Sequence, residues 1–169
     1  RGAMTLQRSV LAARSRSLPD DHPDLQLARQ ALAGTLHLLG DLRGALPLQE
    51  KVLAIRTATL PDDHPNLQKI RADLADTKRM LGDLPGARVL QEKVLTVLSH
   101  ILPDDHPDLV AAHADLAVTL RFLGDYAHAL DLEEQLAAPG TIRRRRALIE
   151  LADRALAAGD ARSAFRAIV

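Results

Sequence analysis

Leu18-Pro19-Asp20-Asp21-His22-Pro23 is spelled again as Leu60-Pro61-Asp62-Asp63-His64-Pro65, and a third time as Leu102-Pro103-Asp104-Asp105-His106-Pro107. The copies start 42 residues apart both times. A fixed interval of this size marks a repeat architecture and outranks any local reading of helix or strand. The text between the copies repeats as well. The block Leu48 to Leu53 returns unchanged as Leu90 to Leu95, and more than half of the positions in 18–59 are identical in 60–101.

Within a unit the pattern predicts two helices. Pro23 suits the first turn of a helix, where its missing N–H has no intrahelical acceptor to lose. Asp21 or His22 before it is placed to cap the free amides of that turn. Leu25, Ala28, Leu32, Leu36 and Leu39 then form one apolar stripe at helical spacing. Gly40 closes the helix in the left-handed conformation that glycine adopts cheaply. Asp41 caps a second helix carrying Leu42, Ala45, Leu48, Val52, Leu53 and Ile55. Pro47 lies inside that helix and predicts a mild bend. The second unit starts at Pro65 and turns at Gly82-Asp83; the third starts at Pro107, turns at Gly124-Asp125 and ends near Ala137.

The two ends depart from the pattern. Residues 1–4 read as an expression remnant plus a start residue, outside the array. Leu6-Gln7 and Val10-Leu11 align with Leu48-Gln49 and Val52-Leu53, so 5–17 forms a half-repeat helix and the array opens mid-unit. Beyond Pro139-Gly140 no acidic-His-Pro loop occurs, Thr141 is the expected cap, and the next turn, Gly159-Asp160, follows Gly124 by only 35 residues. An apolar Ile168-Val169 ending and an opening in mid-repeat are expected of a piece cut from a longer array, whose terminal units carry polar outer faces.

Composition bounds the function classes. The 169 residues balance 22 basic against 22 acidic side chains, which gives no general pull toward nucleic acid or a membrane surface. Aromatics make up 2% of the chain, and apolar content is carried by Ala, Leu, Val and Ile, which suits close helix packing. Without cysteine there is neither a disulfide nor a thiolate site, as expected of a cytoplasmic protein. No run approaches the roughly 18 apolar residues of a membrane span.

Leu32-Ala33, Gly40, Leu42 and Ala45 recur as Leu74-Ala75, Gly82, Leu84 and Ala87, then as Leu116-Ala117, Gly124, Tyr126 and Ala129, and last as Leu151-Ala152, Gly159, Ala161 and Ala164. This arrangement resembles the tetratricopeptide repeat, and the 42-residue period with His-Pro before the first helix resembles its kinesin-light-chain subtype. The resemblance implies an all-α fold, a right-handed α-solenoid of antiparallel helix pairs with about nine helices. The units would be 18–59, 60–101, 102–138 and a short 139–169. Aromatics common in the family are replaced here by Gln49, Gln91 and Glu133 in second helices and by Arg29, Arg71 and His113 in first helices. That substitution leaves Leu and Ala to fill the space between units.

Candidate chemistry is sparse. The Asp-Asp-His triplets carry oxygen and imidazole ligands, but equivalent residues of stacked repeats stand roughly 10 Å apart, too far to share one ion. They read as caps and loop chemistry, and no metal or cofactor is expected. Ser9, Ser15, Ser17, Ser99 and Ser163 lack a nucleophile elbow, and no glycine-rich phosphate loop occurs, so an enzyme is not expected. Arg143 to Arg146 is the densest charge. A phosphate backbone is disfavoured as its target because stacking aromatics are few, and the plainer reading is a solvated helix face or an interface.

In tetratricopeptide arrays first helices line a concave face where partners lie. The resemblance places Gln30 and His37 there, with Lys69, Asp73, Asp76, Arg79, Asp115, Arg121, Phe122 and Arg146. Asp73 and Asp115 stand where chaperone adaptors carry asparagines for a C-terminal carboxylate, which disfavours that ligand. The expectation is a scaffold binding a protein or peptide segment, with Arg79 and Arg121 gripping acidic side chains unless these charges pair with each other, Asp73 or Asp76 with Arg79. The alternative is a regulatory arm of a larger enzyme or signalling ATPase. Self-association through exposed array ends is a further expectation; nucleic acid and membrane partners are not expected.

Overall fold

A computed structural model describes residues 2–136. These form seven helices in sequence: α1 (Gly2–Ser17), α2 (Pro23–Leu38), α3 (Leu42–Thr59), α4 (Pro65–Met80), α5 (Leu84–Ile101), α6 (Pro107–Phe122) and α7 (Tyr126–Leu136). The helices expected after Pro139 lie outside the described residues, so the count among the described residues is seven rather than nine. Each helix packs chiefly on its neighbours in sequence, with a lighter contact between the first helices α4 and α6. This is nearest-neighbour stacking of helix pairs, and no strand occurs among the described residues.

The hexapeptide performs two jobs. Its histidine is the N-cap: Nδ1 of His22, His64 and His106 accepts the backbone N–H of Asp24, Asn66 and Asp108 at 3.1, 3.1 and 3.2 Å. Proline takes the first helical position in all three. Its first aspartate is a clamp. The Asp20 carboxylate meets the buried Arg29 guanidinium and, at 3.0 Å, Lys51 Nζ. The Asp62 carboxylate meets Arg71 and, at 3.7 Å, Lys93. Gln26 and Gln68 donate to the carbonyls of the same aspartates. Loop, first helix and second helix of a unit are thus tied at one residue. The surrounding cations, with hydrogen bonds from Lys51 and Arg29 to Asp20 and from Arg71 to Asp62, hold both carboxyls below the usual aspartate range. Arg29 and Arg71 therefore do more than thin the packing: they occupy the aromatic positions as buried ionic staples.

The third unit lacks the staple. Val110, His113 and Gln135 stand where Gln68, Arg71 and Lys93 stand one unit earlier. His113 turns to Gln135 instead, its Nε2 lying 3.0 Å from Oε1.

Gly40, Gly82 and Gly124 have φ of 79°, 88° and 82°, the left-handed region. There Asp41 N–H donates to Leu36 and Gly40 N–H to His37, and the same pair of bonds recurs in the next two turns. Each turn thereby satisfies the last carbonyls of its first helix. Asp41 and Asp83 then cap the following helix through the N–H of Gly44 and Gly86 at 2.9 and 3.0 Å. α3 runs unbroken through Pro47.

The core is a chain of small clusters along the stack. Leu32, Ala33, Leu36 and Ala45 form the first, joined by Met4, Leu11 and Leu48. Met4 belongs to α1, so the helix includes Gly2 to Met4, which the sequence reading placed outside the array. Val52, Leu67 and Ile70 form the next, and Val94, Leu98, Leu109 and Ala112 the one after. Leu39, expected on the buried stripe, is 64% exposed because the helix ends one residue before it.

Candidate functional site

Between α4 and α6, above α5, lies a groove of about 450 Å³. Val94, Leu98 and Leu102 contribute its floor with Ala112 of α6. Its rim carries Asp63 before α4, Lys69 and Asp73 on α4, and Asp108 and Asp115 on α6. The helical spacing of Lys69, Ala72 and Asp73, and of Asp108, Ala111, Ala112 and Asp115, puts each set on one face of its helix.

The equivalent place one unit earlier is bridged. Buried Arg56 of α3 donates through Nη2 to Gln30 Oε1 and through Nη1 to the Asn66 carbonyl, both at 2.9 Å. Its guanidinium joins α2 to α4. One unit later the same three positions are Leu98, Ala72 and Asp108, and all three line the groove. A shortened side chain at position 72 and a loss of the guanidinium at 98 remove the bridge. Replacing a cation by Leu98 also makes the floor apolar.

The electrostatics along the first helices form a second layer. His37 Nε2 lies 3.2 Å from Asp76 Oδ2, and its Nδ1 lies 3.0 Å from Thr77 Oγ1, which joins α2 to α4. Asp76 also pairs with Arg79. Burial, and then the nearby Asp76 charge, push the Asp115 carboxyl above the usual range, with Arg79 opposing. His37, Asp76, Arg79 and Asp115 are therefore one electrostatic group spread over three first helices. Lys69 Nζ lies 3.5 Å from Asp73 Oδ1 on α4, and Asp63 and Asp115 have no ion pair among the described residues.

The expected site residues separate accordingly. Lys69, Asp73 and Asp115 line the groove. His37, Asp76 and Arg79 form the network beside it. Gln30 is held by Arg56 in the preceding interval. Arg121 pairs with Glu133 of α7, and Phe122 is 67% exposed at the end of α6. Arg146 lies outside the described residues. The floor residues of α5, the buried Gln91 among them, lie on a second helix, whereas the expected site residues lie on first helices; the exchange of Arg56 for Leu98 between units was the available signal.

In the Asp-Asp-His triplets each histidine caps a helix and the first aspartate of the first two copies clamps a unit, and no group of three potential metal ligands forms among the described residues. No helix among them is long and apolar enough to cross a membrane.

The tetratricopeptide repeat family model matches residues 24–100 and again 66–138, one unit further along. Comparison with curated proteins gives no match. Among solved structures, the nearly identical TPR-like repeats assigned to a kinesin light chain of Podosopora anserina align with a TM-score of 0.76 at 26% identity, over 98% of this chain and 82% of that one. BtubC (BKLC) from P. vanneervenii aligns with a TM-score of 0.69 at 20% identity, over 99% and 70%. MamA shares the fold at a TM-score of 0.57 and 12% identity, over 95% and 81%. With two overlapping family matches on the 42-residue period, and His-Pro opening each first helix, the chain belongs to the tetratricopeptide repeat family, with repeats of the kinesin-light-chain type.

Proposed function

We propose that this chain is a binding scaffold that holds a segment of a partner protein in the groove between α4 and α6. The observation that carries this reading is the missing bridge: Ala72 and Leu98 leave open a space that Gln30 and Arg56 close, with the Asn66 carbonyl, one unit earlier. An apolar floor with polar groups at its edge is the usual make-up of a recognition groove. A regulatory arm of a larger protein would act through the same groove.

The expected grip on acidic side chains rested on Arg79 and Arg121. Both guanidinium groups are engaged internally, by Asp76 and Glu133. A partner would have to displace those carboxylates first, so the acidic requirement is not carried forward.

The test uses peptides selected from a random display library against the full chain, measured by fluorescence anisotropy. Ala111→Trp changes an exposed groove position and adds bulk over the floor. Loss of peptide binding in that variant, with its helical circular dichroism intact, supports the groove. Selected peptides that bind Ala111→Trp as well as the native chain would move the site elsewhere.

A further inference from the structure

The groove is not electrically neutral. Its lining holds four carboxylates, on Asp63, Asp73, Asp108 and Asp115, against the single ammonium of Lys69, whose exposed 3.5 Å pair with Asp73 is a weak surface contact that an incoming cation can replace. Gln91, 5% exposed, lines the same groove, and its side-chain carbonyl oxygen has no hydrogen-bond partner among the described residues. A buried acceptor left unpaired costs free energy that an arriving N–H donor recovers.

We infer that the groove selects a cationic amphipathic segment of a partner protein, its apolar side chains on Val94, Leu98 and Leu102 and its Lys or Arg groups on Asp73 and Asp115. This rests on the scaffold reading above and adds the chemistry of the occupant. Asp73 and Asp115 are equivalent positions one unit apart, and the corresponding residue of the first unit is Ala31. The carboxylate pair thus exists only at the interval where the bridge is missing, among the described units. Burial, and after it the nearby Asp76 charge, already raise the Asp115 carboxyl, and an incoming cation offsets both. Charge complementarity of this kind sets specificity and on-rate, and it weakens with salt.

The experiment uses three fluorescein-labelled probes on the full chain: a short Leu/Lys peptide at helical spacing, its Leu/Glu counterpart, and a Gly/Lys peptide of equal charge. The Leu/Lys probe should bind, more weakly at high salt, and the Asp73→Asn, Asp115→Asn double variant should weaken it by about tenfold or more. The Gly/Lys probe should bind more weakly, and the Leu/Glu probe should not compete. Asp63→Asn, in an exposed loop, gives a second and smaller loss should the double variant misfold. Equal binding of Leu/Glu, or no effect of any Asp→Asn change, overturns the inference. If Leu/Glu binds and Ala111→Trp blocks it, the scaffold stands and only the charge assignment falls. Sedimentation of the full chain addresses the remaining occupant: self-association abolished by the Asp→Asn pair would make a second copy the ligand and overturn the partner assignment.

Discussion

Arg71→Ala should destabilise the array more than truncation of an ordinary surface arginine. Arg71 is 2% exposed, and its guanidinium meets the Asp62 carboxylate while Nη1 lies 3.4 Å from Gln68 Oε1. Two losses combine. Removing two buried methylenes costs about 1.6 kcal/mol at about 0.8 each. Losing hydrogen bonds to a charged donor costs about 1.5–3 kcal/mol, taken toward the low end because the Asp62 side chain is open to water and keeps Lys93. The expected total is about 2–4 kcal/mol, and Arg71→Met, which keeps the stem, should lose about half of that. The assay is urea denaturation followed by circular dichroism, at neutral pH and in acid. Arg71 is the largest cause of the lowered Asp62 pKa, so this contribution is present above the ordinary aspartate value and fades as pH falls through the folded one. The gap between native chain and Arg71→Met should therefore narrow below about pH 4. A loss under about 0.5 kcal/mol for Arg71→Ala, or a gap that does not close in acid, would refute the staple.

Leu74→Ala removes a side chain that is 2% exposed in the middle of α4, and should cost about 2–5 kcal/mol in thermal or chemical unfolding. His64→Ala deletes the acceptor of the Asn66 N–H and should cost about 1 kcal/mol, read in the same assay. Asp115→Asn should raise the melting temperature slightly at neutral pH. A raised carboxyl pKa means that ionised Asp115 opposes folding, so the gain should vanish once acid protonates the native residue.

Much of the fold was legible because its causes are local. A proline at a first helical turn, a histidine before it and a glycine at φ near 80° act on residues within a turn of themselves. The clamp was not read, although its signal is present. Asp20 and Arg29, like Asp62 and Arg71, are nine residues apart, which matches neither helical nor strand spacing, and their meeting depends on how the loop folds back. The informative clue was collective: Gln68, Arg71 and Lys93 change together to Val110, His113 and Gln135 in the third unit. The groove was hidden for a related reason. The family resemblance points to the first helices, whereas the groove's floor belongs to α5 and its opening depends on Ala72 of α4 and Leu98 of α5 together. The pairing of Arg79 with Asp76 was legible as an i,i+3 pair, whereas Arg121 looked available for a partner because its carboxylate, Glu133, belongs to the next helix.

The Arg56 bridge has a consequence for how such a molecule acquires a binding surface. An array of copies begins with every interval alike, so anything that recognises one interval recognises all of them. Individuality arises only where a copy drifts, and here the exchanges at the Gln30 and Arg56 positions separate a sealed interval from an open one. The sealed form needs a guanidinium and two partners, while the open form needs only their absence. An interval without the arginine, as at Leu98, is thereby distinguishable from its neighbour.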